Sequence, residues 1–317
     1  MKKAVSAILL LTLFCCFAAE KNSPVWKNLF PGMKTIAICA PGLPGKSSEV
    51  EQGINNLRAA GYKVKLMPHA RENEGIRKEV HWSRRLADFL QAYNDPEVDA
   101  IWCVRGGNRS MEVASRVDWS KLRHRKIPVI GFSDITSLHC VMQLNRAGHV
   151  FSGPSLTQLT RCSAASVCWF SLAVSKAVLP EIQLEVLRGK DCSGYATGGH
   201  LSLFSRAYLR KFSASTDGKI IFLESPRGKI EKFAAAELEK LRKAGCFDRC
   251  AAIVFGNIKG KPAQVKKLLS DFAAKVSCPV YTGFPYGHQA ENYLLDFERI
   301  VSITADGKLR FATPHSR

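Results

Sequence analysis

The sequence predicts an α/β protein made of two units, the first of which contains a parallel, doubly wound sheet. Apolar, β-branched segments such as Thr35–Cys39 and Ala100–Val104 alternate with helical patterns, as in proteins with parallel sheets. From about Leu187 the strands become shorter and glycine turns more frequent, which indicates a second α/β unit. With 46% hydrophobic and 23% charged residues, the composition is that of an ordinary globular protein.

The N-terminus has the pattern of a secretory signal. Lys2 and Lys3 precede the apolar run Ala4–Phe17, and small residues follow at Ala18 and Ala19. The run is too short for a membrane span. We therefore predict a signal over residues 1–19 and an exported, periplasmic protein without stable membrane insertion after signal removal. Association with the cell envelope stays open.

The rest of the chain divides at a Ser/Ala-rich stretch near Arg161–Lys176. We place an N-terminal domain at 25–160, a linker or crossover at 161–186 and a C-terminal domain at 187–317. Within these, Ser48 and Glu51 match a capping box. The segment Thr197–Leu203 is predicted to be a turn that leads into a short helix.

The chain is strongly basic, with a formal net charge of +19. Lysine and arginine are spread along the whole chain and form no run of five, whereas nucleic-acid binders usually concentrate them on one element. We expect no nucleic-acid partner. A diffuse positive field would attract anionic substrates or an anionic envelope.

Eleven cysteines are present, of which two lie in the predicted signal. No Cys-x-x-Cys pair occurs, so the sequence does not support a zinc site. A chain of this size does not need a disulfide framework to be stable. The pairing of the nine remaining cysteines stays open.

The loop Ala40–Ser47 nearly matches a phosphate-binding loop between a strand and a helix. Ala40 stands where the first glycine belongs, and Pro41 and Pro44 remove two backbone N–H donors. A tight strand-to-helix connection is the simpler interpretation. A nucleotide site that uses Lys46 remains the rival hypothesis.

The chain is organised around Ile127–Thr136, where an apolar strand pattern changes into a helical one at Ser133. A strand-to-helix turn displays a serine hydroxyl well, because backbone N–H groups at the start of the helix can stabilise an oxyanion. The alternative is that Ser133 caps the helix and Asp134 complements its dipole.

A nucleophilic serine needs a base and a carboxylate that orients the base. His288 follows a glycine-rich turn after an apolar strand, a position suited to function. Glu224 ends a strongly apolar strand, where an unpaired charge is costly and a partner is expected. His149 and His200 remain candidates without a matching acidic strand end, and His139 lies too far into the helix.

Several motifs occur in order along the chain: Val104–Gly107 with Val117–Trp119, Ile130–Thr136, Gly198–Leu203, Phe222–Glu224 and Gly283–His288. With them the chain resembles the LD-carboxypeptidase family, serine peptidases that include the murein tetrapeptide carboxypeptidases and the microcin C self-immunity peptidases. The resemblance implies an N-terminal flavodoxin-like domain, a C-terminal swivelling α/β domain and a site in the cleft between them.

The resemblance also implies roles for particular residues. Ser133 corresponds to the nucleophile, His288 to the general base and Glu224 to the orienting carboxylate. The N–H groups of Asp134 and Gly107 correspond to the oxyanion hole. Arg105 and Gly106 then become candidates for substrate binding, although a structural salt bridge explains Arg105 equally well. No metal and no cofactor are implied.

The chain departs from the family pattern beside the expected cleft. Asn108–Arg109 replaces the usual Tyr-Gly, Ser152–Pro154 replaces His-Gly-Pro, and the linker Arg161–Pro180 is atypical. We therefore expect the catalytic chemistry of the family, whereas these changes leave the substrate specificity less well defined.

The predicted function is release of the C-terminal D-amino acid, D-Ala, from murein tetrapeptides through an acyl-enzyme. An amidase acting on a peptide–nucleotide antibiotic is the alternative within the family. A nucleotide-binding protein and an inactive binding module are the alternatives outside it. The oligomeric state stays open, with a homodimer as one option.

Overall fold

The computed structural model describes residues 26–72, 80–228 and 231–313. The predicted signal at residues 1–19 lies outside these ranges. Within them, no helix is both long and apolar enough to span a membrane.

Nine α-helices lie in the described residues. They are α1 Ser47–Ala59, α2 Trp82–Asn94, α3 Ser110–Ala114, α4 Thr136–Asn145, α5 Leu156–Leu159, α6 Ala164–Val174, α7 Leu201–Leu209, α8 Ala236–Lys243 and α9 Pro262–Ala273. Short 3₁₀ turns occupy Trp119–Leu122 and Ser133–Ile135, and a π-helical turn at Glu231–Ala235 leads into α8.

Fourteen strands lie in the same ranges. They are β1 Thr35–Cys39, β2 Lys63–Leu66, β3 Ala100–Cys103, β4 Pro128–Gly131, β5 His149–Ser152, β6 Ile182–Gln183, β7 Glu185–Arg188, β8 Cys192–His200, β9 Ile220–Ser225, β10 Ala252–Ile258, β11 Val280–Thr282, β12 Leu295–Asp296, β13 Ile300–Ile303 and β14 Lys308–Phe311.

The first sheet has the order β2-β1-β3-β4-β5-β12 and is parallel except for β12. The order of its first five strands is that of flavodoxin-like proteins, in which ligands bind beyond the carboxyl ends of the strands. The edge strand β12 comes from the C-terminal part of the chain and pairs antiparallel with β5. The two halves of the chain are therefore joined by backbone hydrogen bonds as well as by side-chain packing.

The second sheet has the order β6-β14-β13-β8-β9-β10-β11-β7. Its centre, β8 to β11, is parallel, and the outer strands run antiparallel. The predicted α/β class with two sheets is confirmed.

The core of the first sheet is built around the indole of Trp102 on β3. Its ring lies 5.5 Å from that of Trp26 and 5.3 Å from those of Phe30 and Phe170. The indole N–H donates to the carbonyl of Pro154 at 2.9 Å, so the polar atom of this buried ring has a partner. This packing holds β3, and the loop that follows it, against the rest of the domain.

Two local predictions were wrong. Ser47 begins α1 and Lys46 is its N-cap without a side-chain hydrogen bond, so Ser48 already lies inside the helix and forms no capping box. Residues 197–200 belong to β8 rather than to a turn, because the register with β9 continues to the last residue, His200. Glycines at 198 and 199, with φ of 119° and 127°, concealed this strand in the sequence.

Candidate active site

The side chains predicted to act in catalysis lie at the carboxyl ends of parallel strands in both sheets. Ser133 follows β4 of the first sheet after one residue. Glu224 is the last but one residue of β9, and His288 follows β11 in the second sheet. Three separate regions of the chain thus meet where the carboxyl ends of strands from both sheets come together.

Ser133 occupies a left-handed backbone conformation, with φ of 61°. Phe132 before it is extended, and the 3₁₀ turn that starts at Ser133 continues into α4. Left-handed φ is unfavourable for a residue with a Cβ, so the turn is a strained strand-to-helix elbow. Gly131 and Gly106 give it room: a Cβ on Gly131 would lie 2.6 Å from Ile135, and one on Gly106 would lie 2.8 Å from the Cβ of Ser133.

Ser133, His288 and Glu224 form one chain of hydrogen bonds. The Ser133 Oγ lies 3.0 Å from Nε2 of His288, and Nδ1 of His288 lies 2.9 Å from Oε2 of Glu224. A carboxylate on Nδ1 holds the ring proton there and leaves Nε2 to accept the serine proton. The arrangement can therefore activate a hydroxyl group for attack on a carbonyl.

Glu224 is fully buried, with 0% of its surface exposed. Burial raises the pKa of its carboxyl, and the hydrogen bond and charge of His288 oppose that rise. Its second oxygen, Oε1, has no hydrogen-bond partner among the described residues. His288 is thus the described group that stabilises this buried carboxylate, which ties the orientation of the ring to the charge of Glu224.

The backbone around Gly106 lies directly against the elbow. A Cβ on Gly106 would lie 3.0 Å from the backbone nitrogen of Asp134 and 3.1 Å from the carbonyl oxygen of Phe132. Gly107 has φ of 130° and lines the cleft beside Ser133. The strand end of β3 therefore lies directly against the backbone that follows the serine.

The Asp134 side chain is a structural clamp, a role that the sequence did not reveal. Its Oδ2 accepts the backbone N–H groups of Arg109 and Ser110 at 2.9 and 2.8 Å. The Ser110 hydroxyl in turn donates to the Asp134 carbonyl at 2.5 Å. Burial raises the pKa of the Asp134 carboxyl, and these hydrogen bonds counteract the shift. The clamp fixes the loop after β3 on the residue next to Ser133.

Arg85 on α2 also fixes the loop after β3, and this role was not predicted from the sequence. Arg85 is 1% exposed, and its guanidinium donates to the carbonyls of Pro41, Gly42 and Arg109. It also forms an ion pair with Glu112. One buried side chain thus joins the loops after β1 and β3. The helical pattern could not show this, because arginine is usually a surface residue.

The loop Ala40–Ser47 packs on this assembly rather than facing a ligand. Its Leu43 N–H donates to the carbonyl of Gly106 at 3.1 Å, and its Gly45 N–H donates to the carbonyl of Ala70 at 3.0 Å. Phosphate binding requires such N–H groups to be free. The geometry therefore favours the strand-to-helix connection over a nucleotide site.

His200 lies much nearer to the site than the sequence suggested. It pairs in register with Glu224, and its ring centre lies 6.0 Å from that of His288. Burial, and then the charge of His288, lowers the pKa of His200 to about 4. The other candidate, His149, is paired with buried Asp296 at 2.5 Å on the far edge of the first sheet.

A cleft of about 490 Å³ opens beside Ser133 between the Asn108 loop and the helices that follow β8 and β9. Its lining is basic, and the four cations are Arg206, Arg210, Arg227 and Lys240. The guanidinium of Arg227 lies 5.1 Å from the ring centre of Phe233. Lys240 pairs with Glu237, whereas no described carboxylate pairs with the three arginines. The sequence showed a diffuse charge, but not this local concentration.

Arg105 is partly exposed and forms no ion pair with a described residue. The predicted alternative of a structural salt bridge thus finds no support in the described residues. Among the same residues there is no group of three or more histidine, cysteine or acidic side chains that could hold a metal ion. Eight of the cysteines among the described residues are free.

A serine on a strand-to-helix elbow, within hydrogen-bond reach of a histidine that contacts a buried carboxylate, defines the class of serine hydrolases. The chain belongs to the LD-carboxypeptidase family. Residues 36–153 match the model of the LD-carboxypeptidase N-terminal domain, and residues 193–303 match that of the C-terminal domain. Both the predicted family and the predicted enzyme class, a serine-type carboxypeptidase, are confirmed.

Relatives and solved structures agree with this placement. A probable murein peptide carboxypeptidase of Bacillus subtilis is 27% identical over 80% of this chain and 83% of its own length. The murein tetrapeptide carboxypeptidase of Pseudomonas aeruginosa is 27% identical over 81% of this chain and 89% of its own. Similar folds include a muramoyltetrapeptide carboxypeptidase of Oxalobacter formigenes, with a TM-score of 0.76 and 22% identity over 88% of this chain and 98% of its own. An MccF-like protein of Bacillus anthracis has a TM-score of 0.78 and 17% identity over 89% and 97%.

Proposed function

We propose that this enzyme removes the C-terminal D-amino acid from murein tetrapeptides by acyl-enzyme chemistry. The observation that carries the proposal is the hydrogen-bonded chain from Ser133 through His288 to Glu224, at the edge of a cationic cleft. The names of the Bacillus and Pseudomonas relatives support murein peptides as the substrate class. The signal pattern at residues 1–19 supports action outside the cytoplasm.

In the first half-reaction, Ser133 Oγ attacks the carbonyl carbon before the D-residue, and His288 Nε2 takes the hydroxyl proton. The buried carboxylate of Glu224 stabilises the imidazolium that forms. The N–H groups of Asp134 and Gly107 stabilise the tetrahedral oxyanion. His288 then gives its proton to the departing amine, and the D-amino acid leaves.

In the second half-reaction, water replaces the amine. His288 accepts a proton from the water as it attacks the acyl carbonyl, and the same N–H groups stabilise the second oxyanion. His288 then returns the proton to Ser133 Oγ as the tripeptide leaves with a new carboxylate. The strained backbone at Ser133 keeps the hydroxyl aligned with His288 and with the oxyanion N–H groups in both half-reactions.

The substrate carries several carboxylates, and the chain offers cations for them in two places. Arg105 stands at the strand end beside the proposed oxyanion hole and without a described acidic partner. Arg206, Arg210 and Arg227 line the cleft on the other side of Ser133. We assign the terminal carboxylate to Arg105 with the Gly106 backbone, and the stem carboxylates to the cleft arginines.

The second candidate is an amidase that acts on a peptide–nucleotide antibiotic. Phe233 under the guanidinium of Arg227, among further cations, offers an aromatic face and positive charge of the kind that a nucleotide needs. An MccF-like protein of Streptococcus pneumoniae, with a TM-score of 0.72 and 19% identity over 89% of this chain and 99% of its own, was solved with AMP bound. This likeness shows a shared fold, so the substrate has to be decided by assay.

The test is mass spectrometry of products from tri-, tetra- and pentapeptide stems, a tetrapeptide amidated at its C-terminus, and an aminoacyl sulfamoyl adenosine. We expect release of D-Ala from the free-acid tetrapeptide and much lower kcat/KM on the amidated one. Equal rates on the free and amidated tetrapeptides would exclude a carboxypeptidase. Turnover of the adenosine compound alone would establish the amidase instead.

A further inference from the structure

The second sheet carries a pair of thiols at the edge opposite the active site. Cys250 lies two residues before β10, and Cys278 lies two residues before β11. These neighbouring strands are parallel, with Ile253 opposite Val280, so their amino ends lie side by side. Ser133 and Glu224 are near carboxyl ends of strands, which separates the thiol pair from the catalytic groups.

Both thiols face the same cavity. The Cys250 thiol donates to the carbonyl of Phe247 at 3.6 Å. Both line a cavity of about 230 Å³ whose rim is made of exposed side chains: Lys190, Asp191, Asp248 and Ser277. Cys250 is 8% exposed and Cys278 is 6% exposed, so each sulfur is largely enclosed by protein at the bottom of an open cavity.

A second pair in the same chain provides an internal comparison. Cys39 and Cys103 lie opposite each other on the parallel strands β1 and β3. Both are 0% exposed. Each pair thus belongs to two neighbouring parallel strands, and the two pairs differ in access from solvent.

We propose that Cys250 and Cys278 form a dithiol site that a disulfide-bearing oxidant converts into an intramolecular disulfide. Cys278 is the attacking sulfur, because the neighbouring Cys250 thiol lowers the pKa of the Cys278 thiol. The Arg188 guanidinium, anchored to the Val276 carbonyl at 2.9 Å, favours the same thiolate.

The reaction is two successive thiol–disulfide exchanges. The Cys278 thiolate attacks one sulfur of the oxidant, forming a mixed disulfide and releasing one thiolate. The Cys250 sulfur then attacks the Cys278 sulfur, breaks the mixed disulfide and releases the second thiolate. The two protein thiols lose two electrons, which reduce the oxidant to two thiols, and their two protons pass to the released sulfurs.

The new bond would fasten the amino ends of β10 and β11 and close the chain segment that contains α9. Closing such a loop restricts the unfolded chain, so the oxidised protein is expected to unfold at a higher urea concentration. The cavity lies away from Ser133, and activity is expected to stay unchanged. An exported enzyme would meet disulfide oxidants as a matter of course.

The test is incubation of the folded, full chain with glutathione disulfide, followed by alkylation of free thiols and peptide mapping without reduction. We expect a Cys250–Cys278 cross-linked peptide and a higher urea midpoint that dithiothreitol reverses. Cys39 and Cys103 should be recovered alkylated after unfolding. Cys278→Ser should abolish the cross-link, whereas the control Cys103→Ser should retain it.

The proposal fails if no Cys250–Cys278 peptide appears, or if a lasting glutathione adduct on Cys278 shows that Cys250 cannot resolve it. It also fails if the Cys39–Cys103 pair oxidises at the same rate, since access would then not matter. A cross-link to Cys192, the third thiol that lines the cavity, would assign the site to a different pair. The wild-type map decides the question even if a serine variant does not fold.

Discussion

The Oγ of Ser133 lies 3.0 Å from Nε2 of His288, although 155 positions separate the two residues and each belongs to a different sheet. The contact therefore depends on how the two halves of the chain pack. Gly199 is one place where they meet, because a Cβ there would lie 2.4 Å from the hydroxyl oxygen of Thr136 at the start of α4. The His200 N–H donates to that same oxygen at 3.0 Å.

Ser133 can be replaced in two ways that separate chemistry from backbone strain. Ser133→Ala should lower kcat/KM by about 10⁴- to 10⁶-fold, since a triad without its nucleophile retains little activity. Ser133→Gly should be equally inactive but about 1 kcal/mol more stable than the alanine variant, because glycine adopts φ of 61° without a Cβ penalty. Urea unfolding measures the difference.

The matched control for strain is Arg146→Gly, at another non-glycine position with left-handed φ, 54°. Arg146→Gly should be more stable than the wild type by a similar amount and should keep full activity. Equal stability of Ser133→Gly and Ser133→Ala would show that the elbow is not strained.

Glu224→Gln should leave the fold intact and lower kcat by about 10³- to 10⁴-fold. A neutral amide can still contact Nδ1 of His288, but it cannot stabilise the imidazolium and can hold the wrong tautomer. Steady-state kinetics with circular dichroism as a folding check would measure this. A variant with wild-type kcat would remove Glu224 from the mechanism.

The cleft arginines should act on binding. Arg206→Gln and Arg210→Gln should each raise KM about 3- to 10-fold for the tetrapeptide, with little change in kcat, if each contacts a stem carboxylate. Arg249→Gln is the control, because Arg249 is exposed beside the amino end of β10, away from the cleft. A similar effect of all three substitutions would indicate general attraction by the net charge of +19 instead.

His139 should make stability depend on pH. Burial lowers its pKa in the folded state from the ordinary 6.5 to about 3. Between these values the unfolded chain binds a proton that the folded chain does not, so stability is lost as the pH falls below about 6.5. Between pH 6.5 and 5, the free energy of unfolding should therefore fall by about 2 kcal/mol less in His139→Leu than in the wild type.

Urea unfolding of wild type and variant at both pH values checks this prediction. His124→Gln, which changes an exposed histidine, should behave as wild type. The same pH slope in His139→Leu and wild type would mean that other groups cause the acid sensitivity.

Lys46→Ala should leave peptidase kinetics unchanged, and calorimetry should detect no ATP binding to either protein. The reason is that two N–H groups of the loop, those of Leu43 and Gly45, already bond to carbonyls. Micromolar ATP affinity that is lost in the variant would restore the nucleotide hypothesis.

The sequence by itself determined the α/β class, the elbow at Ser133, the strand end that carries Glu224 and the glycine-rich turn that carries His288. These features are local: a change of periodicity from strand to helix, a carboxylate that ends an apolar strand, and glycines around a histidine. Parallel strands bring their carboxyl ends to one edge, so such local signals indicate a site before any contact is known.

Only the tertiary structure decided which groups surround that site. Arg85, the Asp134 clamp, the register of His200 with Glu224 and the cluster of cleft arginines all depend on contacts between residues far apart in the chain. No periodicity records such contacts, because they arise when loops and helices from both sheets pack together. The physical reason is that burial and charge pairing, which set the chemistry of a side chain, belong to its neighbours in space rather than to those in sequence.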